Sequence, residues 1–156
     1  MKRVLVSACL LGDPVRYDGG NKAVRHPVLE KWLAEGRIVR ACPELLGGLG
    51  VPRPPAEKVG ARVMTNGGVD VTAEFSRGAA AALSIAREHG IQIAVLKENS
   101  PSCGSATIND GTFSKTRLAG EGVTTTLLRA NGVQVFSELQ WDEAALALGS
   151  LARDGD

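Results

Sequence analysis

Three short apolar segments, each followed by a cysteine, constrain the fold of this chain more than any other feature. The segments and their cysteines are residues 3–8 with Cys9, residues 37–41 with Cys42, and residues 91–96 with Cys103 a few positions later. Short runs of this kind, rich in β-branched residues, are typical of buried strands. Because ligands bind in the crevice at the carboxyl ends of parallel strands, we expect the three thiols to face one crevice.

Helical segments separate these strands. Helices are predicted from Pro27 to before Gly36, over residues 72–89, over residues 123–131 and from Trp141 to about Arg153, with a fourth strand over residues 133–136. This alternation predicts an α/β fold, a three-layer Rossmann-like sandwich with a mostly parallel sheet of about four strands. A chain of 156 residues has a natural size for one domain, which we assign to residues 1–156.

The remaining segments are predicted to be loops and one small hairpin. Residues 10–20, 43–61 and 97–122 show little periodicity and are predicted as loops, of which a long one is usually functional. Residues 62–64 and 69–71 flank an Asn-Gly pair, which predicts a small β-hairpin between them.

Composition argues against two classes of partner. The formal net charge is +1 and aromatic residues make up 4%, so neither a basic nucleic-acid-binding face nor a base-stacking platform is expected. No segment is apolar over the roughly 18 residues that a membrane span needs. We therefore expect a cytoplasmic protein in which the cysteines stay reduced and polynucleotide is not the ligand.

Three cysteines permit several interpretations. Each could be a small buried hydrophobe, but the position of all three at strand ends or in the adjoining loop favours metal binding or chemistry. A closed zinc site needs a fourth ligand, for which His26 and His89 are candidates, although both lie where a local role at a helix end is expected. An iron–sulfur cluster on three cysteines would leave one iron open, and the spacing alone does not choose between zinc and iron.

Polar residues beside two of the cysteines are candidates for chemistry. Glu44 lies two residues after Cys42 and is either a proton-transfer group or an ordinary glutamate at a helix start. Ser100 and Ser102 precede Cys103 in a turn-like segment, where their hydroxyls either shape the turn or form a hydrogen-bonding cradle.

Two further segments are candidates for substrate contact. Lys97 and Glu98 follow the third strand and either form an ion pair at the rim or contact substrate. Arg16, Tyr17 and Asp18 lie in the loop beyond Cys9 and either cover the site or pack as an ordinary loop. Our substrate-binding candidates are Arg16, Tyr17, Asp18, Lys97 and Ser102.

Four of these motifs together resemble the family DUF523, which includes the bacterial 2-thiouracil desulfidases. They are Ser7-Ala8-Cys9-Leu10-Leu11-Gly12, Val15-Arg16-Tyr17-Asp18-Gly19, Cys42-Pro43-Glu44 with Gly47-Gly48-Leu49 and Pro52-Arg53, and Leu96-Lys97-Glu98 with Ser100-Pro101-Ser102-Cys103-Gly104-Ser105. The similarity covers nearly the whole chain, in the order of the family.

The resemblance implies a cofactor, a reaction and site residues. It implies a [4Fe-4S] cluster bound by Cys9, Cys42 and Cys103, supplied by cluster-assembly machinery, with the free iron binding the sulfur of the substrate. Glu44 and Ser100 stand at the positions of the acid–base pair. The implied reaction is non-redox desulfuration of a thiolated pyrimidine such as 2-thiouracil, giving uracil and hydrogen sulfide.

Two rival interpretations remain at this point. The substrate could be another thioamide, or a thiolated nucleoside or RNA, although balanced charge disfavours polynucleotide. Alternatively, the three thiols could hold metal as a non-catalytic structural or sensor site. Glu44 beside Cys42 would then have no functional role.

Overall fold

The computed structural model describes residues 1–155 as an α/β fold; Asp156, the last residue of the predicted domain, lies outside the described residues. Within this range the strands are β1 (Val4–Ser7), β2 (Ile38–Ala41), β3 (Ala56–Val59), β4 (Arg62–Thr65), β5 (Ile93–Leu96), β6 (Thr107–Asn109), β7 (Arg117–Ala119) and β8 (Gln134–Ser137). The helices are α1 (Pro27–Ala34), α2 (Pro43–Leu46), α3 (Thr72–Glu88), α4 (Val123–Ala130) and α5 (Trp141–Gly155), and a 3-10 turn spans Ala8–Leu11.

Four strands form a parallel sheet in the order β2-β1-β5-β8. Val4 of β1 pairs with Ile38 on one side and with Ile93 on the other. Every residue of β1 and β5 is buried, as expected for central strands covered on both faces. The predicted mostly parallel sheet of about four strands is therefore confirmed.

Helices cover both faces of this sheet, and each face has its own core. On one face, Trp32 of α1 and Trp141 of α5 pack with Val4. On the other, Leu128 of α4 packs with Leu5, because successive residues of a strand point to opposite faces. The predicted three-layer arrangement is confirmed. Among the helices of residues 1–155, none is both long enough and apolar enough to cross a membrane.

Two antiparallel hairpins, β3–β4 and β6–β7, lie outside the parallel sheet. The hairpin predicted over residues 62–64 and 69–71 is present, since Met64 and Asp70 form an antiparallel bridge and the Val71 N–H donates to the Val63 carbonyl at 2.9 Å. The prediction missed that β4 also pairs along its whole length with β3. The principal turn is at Gly60, whose φ of 61° gives the left-handed backbone that glycine adopts readily.

The segments predicted as loops contain short regular elements. Residues 43–61 hold α2 and β3, residues 97–122 hold β6 and β7, and residues 10–20 begin inside the 3-10 turn. Each of these elements has only three or four residues, which is too short for a hydrophobic period to show in the sequence. Their positions matter because both hairpins contribute to the cavity described next.

Candidate active site

The three cysteines lie at the carboxyl ends of three adjacent strands. Cys9 belongs to the 3-10 turn after β1, Cys42 links β2 to α2, and Cys103 lies in the turn that follows β5. Because the strand order is β2-β1-β5, these turns open at one edge of the sheet. All three cysteines line a single cavity of about 500 Å³.

The surroundings of the thiols disfavour bare thiolates. Cys9 and Cys103 are buried and Cys42 is half-buried. Burial, reinforced by the nearby Cys42, raises the pKa of Cys9 to about 11. Burial is also the main reason that the pKa values of Cys42 and Cys103 lie above the ordinary range, and Glu44 adds to the rise at both. Thiolates in such a place need compensating positive charge, which a bound metal centre supplies.

The donor set fits an iron–sulfur cluster better than a closed single-ion site. Among the described residues, no three His, Cys, Asp or Glu side chains converge on one metal-ion position. His26 accepts a hydrogen bond from the Val28 N–H at the start of α1, at 3.1 Å, so its predicted local role is confirmed, whereas the His89 ring lies 3.4 Å from Arg3 Nη1. What the cavity offers is three soft thiols, the ligands that iron–sulfur clusters take.

Glu44 lies in the single turn of α2 and is held by Arg53. The Arg53 guanidinium donates from Nε to Glu44 Oε1 at 3.3 Å, and its two terminal nitrogens donate to the carbonyls of Gly50 and Val15, each at 3.0 Å. The Arg53 side chain is only 7% exposed. Burial raises the pKa of the Glu44 carboxyl, and the charge of Arg53 opposes that rise. The pair fixes a carboxylate in the cavity wall beside Cys42.

Helix α2 is placed by direct backbone contact with α3. A Cβ added to Gly47 would lie 1.9 Å from the Glu74 carbonyl oxygen, and one added to Gly78 would lie 1.9 Å from the Pro43 carbonyl oxygen. No side chain fits at either position, since real Cβ atoms do not approach oxygen so closely. The two glycines therefore set the position of the turn that carries Cys42.

The Ser100 hydroxyl shapes the turn around Cys103 and keeps its hydrogen available. Its Oγ accepts hydrogen bonds from the N–H groups of Ser102, at 3.0 Å, and Cys103, at 3.1 Å. A hydroxyl has two lone pairs and one hydrogen, so these bonds occupy the lone pairs. Since Ser100 lines the cavity, the hydrogen can be donated to a ligand there.

Ser102 does not line the cavity, and we correct its assignment as a substrate-binding residue. It is 0% exposed, and its hydroxyl lies 2.8 Å from that of Thr124 at the start of α4. Its carbonyl accepts the Thr124 N–H at 2.8 Å. The side chain therefore fastens the Cys103 turn to α4 from behind.

Lys97 and Glu98 both line the cavity, and they do not form the ion pair that was one of the two roles expected for them. Lys97 Nζ lies 3.0 Å from Glu138 Oε1, in the connection between β8 and α5. The Glu98 carboxylate turns the other way and accepts from Ser105 Oγ at 3.0 Å and from the Ala106 N–H at 3.2 Å. Consecutive residues of an extended segment point to opposite sides, which separates the two side chains.

The loop after Cys9 contributes two of its three candidates to the cavity. Arg16 and Tyr17 line it, with the Arg16 guanidinium carbon 5.5 Å from the centre of the Tyr17 ring. Asp18 does not line it; its carboxylate lies 3.8 Å from Arg16 and accepts the Gly20 N–H at 2.8 Å. Asp18 therefore acts on the shape of this loop.

Several cavity residues were not predicted as site residues. The charged and aromatic ones include Arg53, Glu57, Phe113, Lys115 and Arg117. Arg53 belongs to one of the motifs that carry the family resemblance, and this motif could have identified it as a site residue. The others come from the two hairpins, and nothing in their local sequence shows that these hairpins turn toward the cysteines.

Comparison with known proteins agrees with this geometry. The sequence model of the family described as 2-thiouracil desulfurase matches residues 4–140. The Bacillus subtilis (strain 168) relative named "Uncharacterized protein YbbK" is 44% identical over 145 residues, which covers 86% of this chain and 95% of that protein. A solved structure named "[4Fe-4S]-dependent thiouracil desulfidase TudS (DUF523Vcz)" is 55% identical, with a TM-score of 0.94 over 96% of this chain and 99% of that one. The resemblance to DUF523 is confirmed, and the chain belongs to the 2-thiouracil desulfurase family.

Proposed function

We propose that this chain desulfurates a thiolated pyrimidine such as 2-thiouracil, giving uracil and hydrogen sulfide with the help of a [4Fe-4S] cluster. The observation that carries the proposal is that the three cysteines, Glu44 and Ser100 line one cavity. The membership of the chain in the 2-thiouracil desulfurase family, and the name of the related solved structure, support the same reaction.

Cys9, Cys42 and Cys103 would hold the cluster. When bound through three cysteines, such a cluster supplies a Lewis-acidic iron without a protein ligand, which has affinity for the sulfur of the substrate. The three cysteines are the sulfur ligands that the chain offers, and each is a free thiol in the described structure. A free iron and free thiols suit a reducing compartment such as the cytoplasm, where cluster-assembly machinery would load the protein.

The reaction is a hydrolysis with no net electron transfer. Water adds to the thiocarbonyl carbon, the carbon–sulfur bond breaks, and the two hydrogens of the water leave with the sulfur as hydrogen sulfide. Glu44 would accept the proton of the attacking water, because its half-buried carboxylate lines the cavity and partial burial raises its pKa. Arg53 keeps that carboxylate in one orientation during the transfer.

Ser100 would donate a hydrogen bond or a proton to the bound pyrimidine. The two N–H groups that bond to its oxygen leave its hydrogen as the remaining polar contact it can make. Arg16, Tyr17 and Lys97 line the same cavity and are proposed to contact the polar edge of the pyrimidine. Asp18 is proposed to support Arg16 rather than to touch substrate.

The proposal is tested on anaerobically reconstituted protein. Iron and sulfide content and the absorption spectrum are measured first, and sulfide release is then measured with 2-thiouracil, 2-thiouridine and thiolated tRNA. We expect a filled cluster and release from the free pyrimidine. A filled cluster with no release from any thiolated pyrimidine would overturn the desulfidase proposal in favour of a structural or sensor site, and preference for the tRNA would move the substrate to RNA.

Matched variants separate ligands from catalytic groups. Cys9→Ser, Cys42→Ser and Cys103→Ser should each lose the cluster. Glu44→Gln should keep cluster content and spectrum while sulfide release falls by roughly 100-fold or more, the usual contribution of a general base. Ser100→Ala should behave in the same way with a smaller loss. A Glu44→Gln variant with wild-type turnover would remove Glu44 from the mechanism.

A further inference from the structure

The wall of the cavity formed by the β6–β7 hairpin contains unusual backbone. Among the described residues, the non-glycine residues with left-handed φ are Asn99 (68°), Phe113 (57°) and Lys115 (61°), and all three line the cavity. Asparagine tolerates this conformation, but a bulky residue such as phenylalanine adopts it rarely. Strain of this kind persists where the surrounding structure enforces it, and it concentrates at binding sites.

A buried carboxylate enforces the conformation around Phe113. Glu57 of β3 is 6% exposed, and its Oε1 accepts hydrogen bonds from the N–H groups of Gly111, at 2.9 Å, and Phe113, at 3.2 Å. The turn is also bonded within itself, since Asp110 accepts the Thr112 N–H at 2.9 Å. Hairpin β3–β4 thus holds the turn of hairpin β6–β7 from one side.

Phe113 is not used to fill a hydrophobic core. The side chain is half-buried, and it belongs to none of the three buried apolar clusters found in the described part of the chain. It lines the cavity instead, where the other aromatic lining residue is Tyr17. An aromatic ring held at a cavity wall by a strained backbone, with no core to fill, is suited to the flat face of a heteroaromatic ligand.

We propose that Phe113 is a specificity-determining residue whose ring packs against the face of the pyrimidine, and that Glu57 is a positioning residue that holds Phe113 there. This inference rests on the proposed function and names a contact for its substrate. Stacking of an aromatic side chain on a base does not depend on the pattern of hydrogen-bonding groups. Phe113 therefore selects for a flat aromatic ring over a non-aromatic thioamide, whereas the polar residues contact the edge of the ring.

The test compares variants at Phe113 by the binding of uracil, the product, and by KM and kcat for 2-thiouracil. Phe113→Leu keeps apolar volume but removes the aromatic face, and it should raise KM and weaken uracil binding about tenfold while cluster content stays full. Phe113→Tyr keeps the face and should restore both values. Leu118→Ala, at an exposed leucine outside the cavity on β7, is the matched control and should change neither.

Variants at Glu57 test the positioning role with a readout that needs no turnover. Glu57→Ala should speed hydrogen exchange at the Gly111 and Phe113 amides and weaken uracil binding. Glu57→Gln should restore both, because the amide oxygen can still accept the two N–H bonds. Unchanged uracil affinity and KM in Phe113→Leu would overturn the proposal, as would loss of folding or of cluster uptake in that variant. Wild-type protein that binds uracil but releases no sulfide would overturn the proposed function alone. The comparison of uracil binding between wild type and Phe113→Leu would then still test the role of Phe113.

Discussion

Two of the cysteine-bearing turns are fixed by different combinations of contacts. The Cys42 turn packs bare backbone against α3, with Gly47 and Gly78 where no side chain fits. The Cys103 turn has a similar contact at Gly122, where a Cβ would lie 2.3 Å from the Ser102 carbonyl carbon, and adds buried hydrogen bonds to the Glu98 carboxylate and between Ser102 and Thr124. The difference teaches that close backbone packing is common to both turns, whereas the Cys103 turn also depends on buried polar contacts and should respond to their loss.

The Cys103 turn should show the largest single effect, through Glu98→Ala. This change leaves the Ser105 and Ala106 donors without their carboxylate, and charged hydrogen bonds in a buried setting contribute enough that we expect a loss of about 3 kcal/mol in the free energy of unfolding. Urea unfolding of the cluster-free protein measures it. Glu88→Ala, at an exposed position on α3, is the control and should lie within about 0.5 kcal/mol of wild type.

Gly78→Ala should destabilise the Cys42 turn by a steric clash. Alanine favours a helix interior by about 1 kcal/mol over glycine. The clash with the Pro43 carbonyl forces backbone to move, and overpacking of this kind costs up to about 3 kcal/mol, so we expect a net destabilisation of about 2 kcal/mol and lower cluster uptake. Gly67→Ala, where the nearest atom would be 3.9 Å away, is the control. A Gly78→Ala variant more stable than wild type would show that α2 is not fixed by this contact.

The hydrogen bond between Ser102 and Thr124 behind the Cys103 turn can be tested with a pair of substitutions. Thr124→Val leaves the Ser102 hydroxyl buried without its partner and should cost about 1.5 kcal/mol. Adding Ser102→Ala removes the unsatisfied group, so the double variant should be more stable than the sum of the two single effects predicts. Strict additivity in a double-mutant cycle by urea unfolding would mean that this hydrogen bond does not hold the turn.

The ion pair beside Cys42 should affect turnover more than stability. Arg53→Ala frees the Glu44 carboxylate from its orientation and should lower kcat about tenfold, equivalent to about 1.4 kcal/mol, with cluster content unchanged. Arg53→Lys keeps the charge without the fork of donors and should recover part of the loss. Equal kcat in Arg53→Ala and wild type would reduce Arg53 to a packing role.

Lowering the pH should destabilise the Cys103 turn by protonating Glu98. Burial alone would raise the pKa of Glu98, but hydrogen bonds from Ser105, Asn99 and Ala106 outweigh burial and lower it below 4.5. A carboxyl with a lowered pKa in the folded state adds stability at neutral pH and loses it as the pH falls through that pKa. Wild type should therefore lose more stability than Glu98→Gln between pH 6 and pH 3, measured by urea unfolding. Parallel losses in the two proteins would contradict this.

The parallel sheet could be predicted because each of its strands can be recognised from its own residues. Residues 3–8 and 91–96 are short, β-branched and bounded by turn residues, and they contain the fully buried central strands β1 and β5. The hairpins lacked such a signal. Strand β3 reads Ala-Glu-Lys-Val, and its glutamate is the buried residue, because its partners are backbone N–H groups 54 and 56 positions away. A local pattern cannot show a partner that distant.

The site was predictable to the same degree. The cysteines stand at strand ends, so the topology brought them together, and Glu44 and Ser100, whose acid–base roles the family resemblance implied, line the same cavity. Ser102 is also close to Cys103 in sequence but points to α4. The direction of a side chain within a tight turn depends on what packs behind it, and for Ser102 this was a helix that begins about twenty residues later.

The order of the strands also determines when, during synthesis, the three thiols can come together. Strand β1 pairs with β2 about thirty-four residues on, but its pairing with β5 joins Val4 to Ile93, a much longer closure. The Cys103 turn then needs Thr124 behind it before it is braced. A nascent chain therefore exposes Cys9 and Cys42 before the Cys103 turn can join them. If the three cysteines hold the cluster as proposed, insertion of the cluster would have to wait for a nearly complete chain.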